Sequence, residues 1–132
     1  MDKRDAMQYS PLTLAFLGDS VYEQLVRKKL VLSANRPVNV LHKLTIQRVC
    51  AEYQADAVKL LLEKDILTVD EQDLLKRGRN ASGVSAPKHS TVAQYRSATG
   101  LECLLGYLFL TGQTERIEEI FNLIWESDIP VK

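Results

Sequence analysis

The sequence predicts an all-α protein built as a single domain. The chain has 132 residues, enough for one hydrophobic core and too few for two ordinary domains. Apolar residues recur at helical spacing along most of the chain, and no segment is a convincing strand. Hydrophobic residues make up 45% and charged residues 26%, which is typical of a globular chain and excludes extensive disorder. We therefore expect one domain over residues 1–132.

The first predicted helix covers residues 11–32, because Ser10 is followed by Pro11 and proline suits the first turn of a helix. At about 100° per residue, this helix has two opposite apolar faces. One face carries Leu14, Leu17, Val21 and Leu25. The other carries Leu12, Phe16, Val26 and Leu30, together with the acids Asp19 and Glu23. We expect protein on both sides of this helix, with its acids facing inward or into a subunit interface.

Four more segments have helical patterns, at residues 37–64 (as one helix or two), 70–76, 91–111 and 114–126. Pro37 opens the first of them. Asp70 is the expected N-cap of the short helix at residues 70–76, because acidic residues follow it in the first turn. The long helix at residues 91–111 is expected to end at Gly112. The last helix places apolar residues at core spacing, namely Ile117, Ile120, Phe121, Ile124 and Trp125.

Residues 78–91, GRNASGVSAPKHST, have the glycine, serine, asparagine and proline content of a mobile loop. The net charge of the chain is zero, but residues 76–96 contain five basic residues, one histidine and no acid. These basic residues are Lys76, Arg77, Arg79, Lys88 and Arg96. Such a patch can bind a polyanion even in a neutral chain. The charge run alone is equally compatible with a solvated basic loop.

Cys50 and Cys103 lie in helical patterns without the spacing of metal ligands. We expect both to be small, reduced core residues, and a disulfide between them is the weaker alternative. The first ten residues are polar and mixed in charge, unlike a signal peptide. The most apolar run is too short and too interrupted to span a membrane. We therefore expect a cytoplasmic protein.

Glu102 is the only charged residue between Ser97 and Thr114. An ionised carboxylate in apolar surroundings is costly unless it is paired, hydrogen-bonded or metal-bound. Glu102 and Asp19 have no basic partner at helical spacing, so a hard divalent cation such as Mg²⁺ or Mn²⁺ would suit them, with waters completing its shell. An ion pair of each acid with an arginine from another helix is the alternative.

Two motifs resemble the ribonuclease III family. LTLAFLGDSVYEQLV, residues 12–26, resembles the family's signature helix, E-x-x-E-F-L-G-D. SATGLECLLGYLFL, residues 97–110, resembles its second motif, D-x-x-E-A followed by two hydrophobic residues and a glycine. The intervening LKRGRNA and PKHSTVAQYR resemble Mini-ribonuclease III, the branch without a double-stranded-RNA-binding domain. The resemblance covers about residues 10–125 and implies an all-α endonuclease domain.

The resemblance implies that Asp19 and Glu102 are catalytic carboxylates and ligands of Mg²⁺, for which Mn²⁺ could substitute. The implied activity is cleavage of double-stranded RNA to 5′-phosphate and 3′-hydroxyl ends. Two of the family's four usual acids are absent, because they fall on Ala15 and Thr99. Glu23 could hold a metal-bound water, but a structural hydrogen bond is the favoured interpretation. Thr99 could orient a water through its hydroxyl.

The resemblance also implies a homodimer whose first-motif helices pack together, with Leu12 and Phe16 as interface candidates. Phe16 is equally compatible with the core of one chain. Without an appended RNA-binding domain, the dimer itself must bind the duplex. The residues predicted to do so are Lys76, Arg77, Arg79, Asn80, Lys88, His89 and Arg96. The implied substrate is the precursor of large-subunit (23S) ribosomal RNA, and a ribosomal protein on that substrate would be an additional partner.

Two other functions remain open at this point. A ribonuclease III-like domain could bind structured RNA without cutting it, as the two absent acids suggest. The retained Asp19 and Glu102 argue against this, because a binding scaffold gains little from acids in apolar surroundings. A helical dimer that serves only in protein interactions would leave the basic loop and both carboxylates unexplained.

Overall fold

The computed structural model describes residues 1–83 and 88–131, and every regular element within these ranges is an α-helix. The helices are α1 (Lys3–Met7), α2 (Pro11–Ser33), α3 (Val38–Val49), α4 (Ala51–Glu63), α5 (Val69–Ala81), α6 (Val92–Leu110) and α7 (Thr114–Glu126). The all-α prediction is confirmed. Part of the predicted loop, residues 84–87, lies outside the described residues. None of the described helices combines the length and apolarity needed to cross a membrane.

Helix α6 lies at the centre of the fold and packs against α2, α4 and α5. It is apolar nearly all round, and Leu101, Leu104, Leu105 and Leu108 are buried. A helix of this kind needs partners on most of its surface, which explains why the most apolar run of the sequence is the innermost helix. Helix α2 crosses α6 with backbone against backbone at Gly18. This crossing positions the candidate site.

The two-sided burial predicted for α2 is only partly correct within one chain. Val26 and Leu30 of the second face are buried, whereas Leu12 and Phe16 at its start are exposed, Phe16 by 84%. Helices α3, α5 and α6 make the main contacts with α2, and Tyr22 of α2 also packs edge-to-face against Phe121 of α7. The first turns of α2 therefore leave apolar side chains in solvent.

Residues 37–64 form two helices, with Cys50 as the cap between them. The prediction that both cysteines are core residues is wrong for Cys50, because its place at the α3–α4 junction leaves it exposed. Cys103 is buried, and both cysteines carry free thiols. The alternative of a disulfide is thereby excluded.

Helix α5 begins and ends at other residues than predicted. Its N-cap is Thr68 rather than Asp70, because the Thr68 hydroxyl accepts a hydrogen bond from the Glu71 amide while the Glu71 carboxylate accepts one from the Thr68 amide. This reciprocal capping box satisfies two amides at once. The helix continues to Ala81, so residues 78–81 are helical and not part of a loop. Gly78 therefore lies within the helix. A glycine is needed at this position because a Cβ there would be 2.8 Å from Cys103 Cβ of α6.

Candidate active site

The crossing of α2 and α6 brings the carboxyl groups of Asp19 and Glu102 together. Asp19 is exposed and Glu102 is partly buried. Burial, the nearby charge of Asp19 and a hydrogen bond with the Asp19 carboxyl raise the pKa of Glu102 to about 8, against a smaller opposing effect of Gln54. Two neighbouring carboxylates repel each other when both are ionised, so the ionised pair needs a compensating positive charge.

No basic side chain supplies that charge among residues 1–83 and 88–131, because none of their ion pairs includes Asp19 or Glu102. Glu71 provides the contrast. Burial alone would raise the pKa of Glu71, but hydrogen bonds from Arg116, at 2.7 and 2.9 Å, and from Thr68 lower it. The ion-pair alternative is therefore wrong for Asp19 and Glu102 in the described part of the chain.

Gln54 of α4 lies next to Glu102 and was not identified from the sequence as a residue of the site. Its amide nitrogen Nε2 donates a hydrogen bond to the Val49 carbonyl at 3.0 Å and lies 3.4 Å from Oε2 of Glu102. Its oxygen Oε1 is buried without a hydrogen-bond partner among the described residues. The available signal was a polar residue within an apolar stripe of α4 that includes Ala57, Val58 and Leu61.

These residues fit a divalent cation. Two carboxylates without a basic partner, beside an unpaired amide oxygen, form the all-oxygen environment that Mg²⁺ and Mn²⁺ prefer. The described residues contain no cluster of three or more His, Cys, Asp and Glu side chains that could enclose an ion. A cation held by Asp19 and Glu102 would therefore keep several of its waters.

A cleft of about 310 Å³ lies beside Glu102. Its walls include Cys50, Gln54, His89, Ser90, Tyr95 and Ala98. Tyr95 and Ala98 lie seven and four residues before Glu102 on α6, and therefore on the same face of that helix. The cleft also brings His89, from the segment before α6, into the surroundings of Glu102.

The other predicted RNA-binding residues are spread over two surfaces. Lys88 is exposed next to His89. Lys76 and Arg79 line a separate, larger depression of about 650 Å³ between α4 and α5, to which Lys59 also contributes. Asn80 is exposed at the end of α5.

Two of the predicted RNA-binding arginines, Arg77 and Arg96, are partly buried. Arg77 donates hydrogen bonds to the backbone carbonyls of Met7, at 3.1 Å, and Tyr9, at 3.3 Å, and so ties the start of the chain to α5. This structural role competes with phosphate binding. Arg96 is partly buried in the first turns of α6, and its Nε has no hydrogen-bond partner among the described residues.

The two supporting residues both have structural contacts. Glu23 forms an ion pair with Arg27, one turn later on α2, at 3.0 Å. Thr99 is buried, and its hydroxyl donates to the Tyr95 carbonyl at 3.0 Å, one turn earlier on α6. The proton of that hydroxyl is therefore engaged within its own helix, and only its lone pairs remain for a water.

The chain is similar to ribonuclease III-type proteins along most of its length. The family model of the ribonuclease III domain matches residues 12–113. A Mini-ribonuclease 3 of Thermoanaerobacter sp. is 46% identical over 93% of this chain and 85% of its own. A Mini-ribonuclease 3 of Staphylococcus aureus is 39% identical over 87% of this chain and 86% of its own. A crystal structure of a Fusobacterium nucleatum protein, 31% identical, superposes with a TM-score of 0.81 over 91% of this chain and 96% of that one.

The matched region contains both helices of the candidate site and the segment between them. The relatives are similar over most of their own length, so the likeness extends beyond one motif. The chain therefore belongs to the ribonuclease III family, in its Mini-ribonuclease 3 branch, and is an endoribonuclease.

Proposed function

We propose that this endoribonuclease cleaves double-stranded RNA in a Mg²⁺-dependent reaction, with Asp19 and Glu102 as the metal-binding catalytic carboxylates. The observation that carries the proposal is the pairing of these two acids at the α2–α6 crossing, without a basic partner among the described residues. Membership of a family that uses divalent metal ions supports it further. Mn²⁺ is proposed as a functional substitute, because it accepts the same oxygen ligands.

The two carboxylates differ in their surroundings, which suggests a division of work. Glu102 is partly buried and its Oε2 lies 3.4 Å from the Gln54 amide nitrogen, whereas Asp19 is exposed to solvent. Glu102 would anchor the cation at the helix crossing, and Asp19 would hold it on the side that faces the RNA. Bound Mg²⁺ would lower the pKa of a coordinated water and stabilise the negative charge that develops on the phosphate.

The remaining residues would bind the substrate. Lys88 and His89 lie next to the cleft at Glu102 and would contact phosphates near the scissile bond. Lys76, Arg79 and Asn80 would contact the duplex farther away, since double-stranded RNA is recognised mainly through its phosphates, 2′-hydroxyls and shape. Water would attack phosphorus, leaving a 5′-phosphate and a 3′-hydroxyl. No group of the RNA itself would act as the nucleophile.

Cleavage of both strands requires two active sites, and a twofold homodimer would supply them. The exposed Leu12 and Phe16 at the start of α2 are the proposed centre of its interface. They lie on the helix that carries Asp19, so the interface would fix the relative position of the two sites. We further propose that the enzyme acts in the cytoplasm on the ends of the 23S ribosomal RNA precursor, where a bound ribosomal protein would present the substrate.

Cleavage of a short duplex RNA tests the metal site. Asp19→Asn and Glu102→Gln should each reduce kcat about 1,000-fold or more, equivalent to about 4 kcal/mol of transition-state stabilisation. Duplex binding should remain close to that of the parent. Glu23→Gln is the matched control, because the Glu23 carboxylate is already paired with Arg27, and it should stay within a few-fold of the parent.

Two results would contradict the proposal. Unchanged cleavage by both Asp19→Asn and Glu102→Gln would exclude these carboxylates as the catalytic pair. Tight duplex binding without cleavage in either Mg²⁺ or Mn²⁺ would favour the alternative function, a structured-RNA-binding domain. Sequencing of the product ends checks the predicted 5′-phosphate.

A further inference from the structure

We propose that Gln54 is a positioning residue of this active site. Its amide nitrogen would hold Glu102 in the orientation that binds the cation, and its amide oxygen would accept a hydrogen bond from the ion's water shell. This inference rests on the proposed function, because it requires that Asp19 and Glu102 bind a divalent cation. It adds a third, uncharged residue to a site that contains only two acids.

The orientation of the Gln54 amide follows from its neighbours. Nε2 lies 3.0 Å from the Val49 carbonyl oxygen and 3.4 Å from Oε2 of Glu102, and both of these atoms are acceptors when Glu102 is ionised, as it would be with a bound cation. Reversing the amide would place Oε1 against two acceptors, which is unfavourable. The nitrogen therefore faces Glu102. Because Gln54 is only 2% exposed, the packing around its side chain would keep this nitrogen beside the carboxylate.

The amide oxygen is the second observation. Oε1 of Gln54 is buried without a partner among the described residues, although a buried polar atom normally forms a hydrogen bond. A leucine at this position would avoid the cost of the unpaired oxygen, so packing alone does not explain a glutamine here. An acceptor beside a carboxylate pair suits a donor that arrives with the ligand, and a hydrated cation brings such donors.

The backbone that carries Gln54 is itself fixed to the helix that carries Asp19. Gln54 lies in the first turn of α4, immediately after the α3–α4 junction. The Tyr22 hydroxyl of α2 donates to the carbonyl of Arg48, in the last turn of α3 just before that junction, at 2.7 Å. Tyr22 follows Asp19 by about one helical turn. The same segment of α2 therefore presents Asp19 and anchors the support of Glu102.

Mn²⁺ binding without RNA, measured by isothermal titration calorimetry, tests the inference directly. Gln54→Leu removes both polar atoms and should weaken Mn²⁺ binding about 10-fold or more, as expected when a group supporting a metal ligand is lost. The Mg²⁺ concentration for half-maximal duplex cleavage should rise by a similar factor, while KM for the RNA stays unchanged. Gln72→Leu is the matched control, because Gln72 also donates to a carbonyl five residues earlier, that of Leu67, but on α5.

Gln54→Glu keeps the length of the side chain and covers the case in which the leucine variant does not fold. It places a third carboxylate beside Glu102, so its Tm without metal should fall. Mn²⁺ should then raise its Tm by more than it raises that of Gln54→Leu. Parent-like Mn²⁺ affinity in every folded Gln54 variant would overturn the inference.

Asp19→Asn in the same titration separates the two possible failures. If Asp19→Asn loses Mn²⁺ binding while the Gln54 variants keep it, the metal site stands and only the role of Gln54 is wrong. If Asp19→Asn binds Mn²⁺ as tightly as the parent, the proposed metal site is itself wrong.

Discussion

Gly18 of α2 and Glu102 of α6 are in direct backbone contact. A Cβ atom added to Gly18 would lie 1.7 Å from the carbonyl oxygen of Glu102, a separation that two nonbonded atoms cannot adopt. Because Asp19 follows Gly18 in the chain, this contact also sets the distance between the two carboxyl groups. The glycine of F-L-G-D therefore determines the geometry of the site, although it has no side chain to contribute.

Gly18→Ala should disrupt both the fold and the site. The methyl group must push α2 away from the α6 backbone, and we expect a loss of about 3 kcal/mol or more in the free energy of unfolding. Cleavage at saturating RNA should fall about 100-fold, because the carboxylates separate. Gly83→Ala is the control, since a Cβ there meets nothing within 4 Å. Urea unfolding that differs by less than about 1 kcal/mol between the two variants would contradict the tight crossing.

The pH dependence of stability without metal should report the burial of Glu102. Burial and the Asp19 charge raise its pKa from the usual 4.5 to about 8 in the folded protein. Between these values the folded state binds a proton that the unfolded state releases, so this group makes the protein less stable as pH rises from about 4.5 to 8. The loss attributable to Glu102 is on the order of a few kcal/mol.

Urea unfolding in EDTA at several pH values, for the parent and Glu102→Gln, measures this loss. The glutamine variant lacks the titrating group, so its advantage over the parent should grow across this window. Parallel curves would show that Glu102 titrates normally. Adding Mn²⁺ should oppose the loss in the parent, because the cation binds the ionised carboxylates.

The sequence allowed the helices to be predicted because most of them bury one periodic apolar face. Helix α7 spans Thr114–Glu126, as its pattern indicates. The end of α5 was missed for a physical reason: Gly78 resembles a turn residue, yet the structure uses it for close packing against Cys103 of α6. A single sequence does not distinguish these two uses of glycine.

The candidate site was predictable only in part. Asp19 and Glu102 were identified because a charge within an apolar run is costly and needs an explanation. Gln54 carries no charge, and one amide in an apolar stripe is unremarkable until the neighbouring helix is known. The exposure of Phe16 was also not evident, because helical periodicity shows which residues share a face but not what covers that face.

Phe16→Glu should convert the proposed dimer to a monomer. Phe16 is 84% exposed and Leu12 49%, which is unusual for large apolar side chains unless a partner covers them. A carboxylate at position 16 would have to be desolvated in that interface. Leu32→Glu is the matched control, because Leu32 is also an exposed apolar residue of α2 but lies near its other end. Light scattering coupled to size exclusion gives the mass, and a dimeric Phe16→Glu would exclude this interface.

The basic residues around α5 and the following segment should determine how strongly duplex binding depends on salt. Each phosphate contact releases counterions, so the double variant Arg79→Ala and Lys88→Ala should bind more weakly, with a salt slope smaller by about 1 to 2 per protomer. Arg77 is left unchanged, because its guanidinium holds the carbonyls of Met7 and Tyr9 and its loss would also affect folding.

The matched control for this double variant replaces Lys28 and Lys29 by alanine. These lysines line a depression formed by α2 and α7, away from the cleft at Glu102. Their removal changes the net charge equally but should leave the slope at the parent value. The kcat at saturating RNA should be nearly unchanged in both double variants, because such contacts bind substrate and transition state alike. Equal slopes for the two variants would mean that Arg79 and Lys88 form a solvated surface, and that other residues bind the duplex.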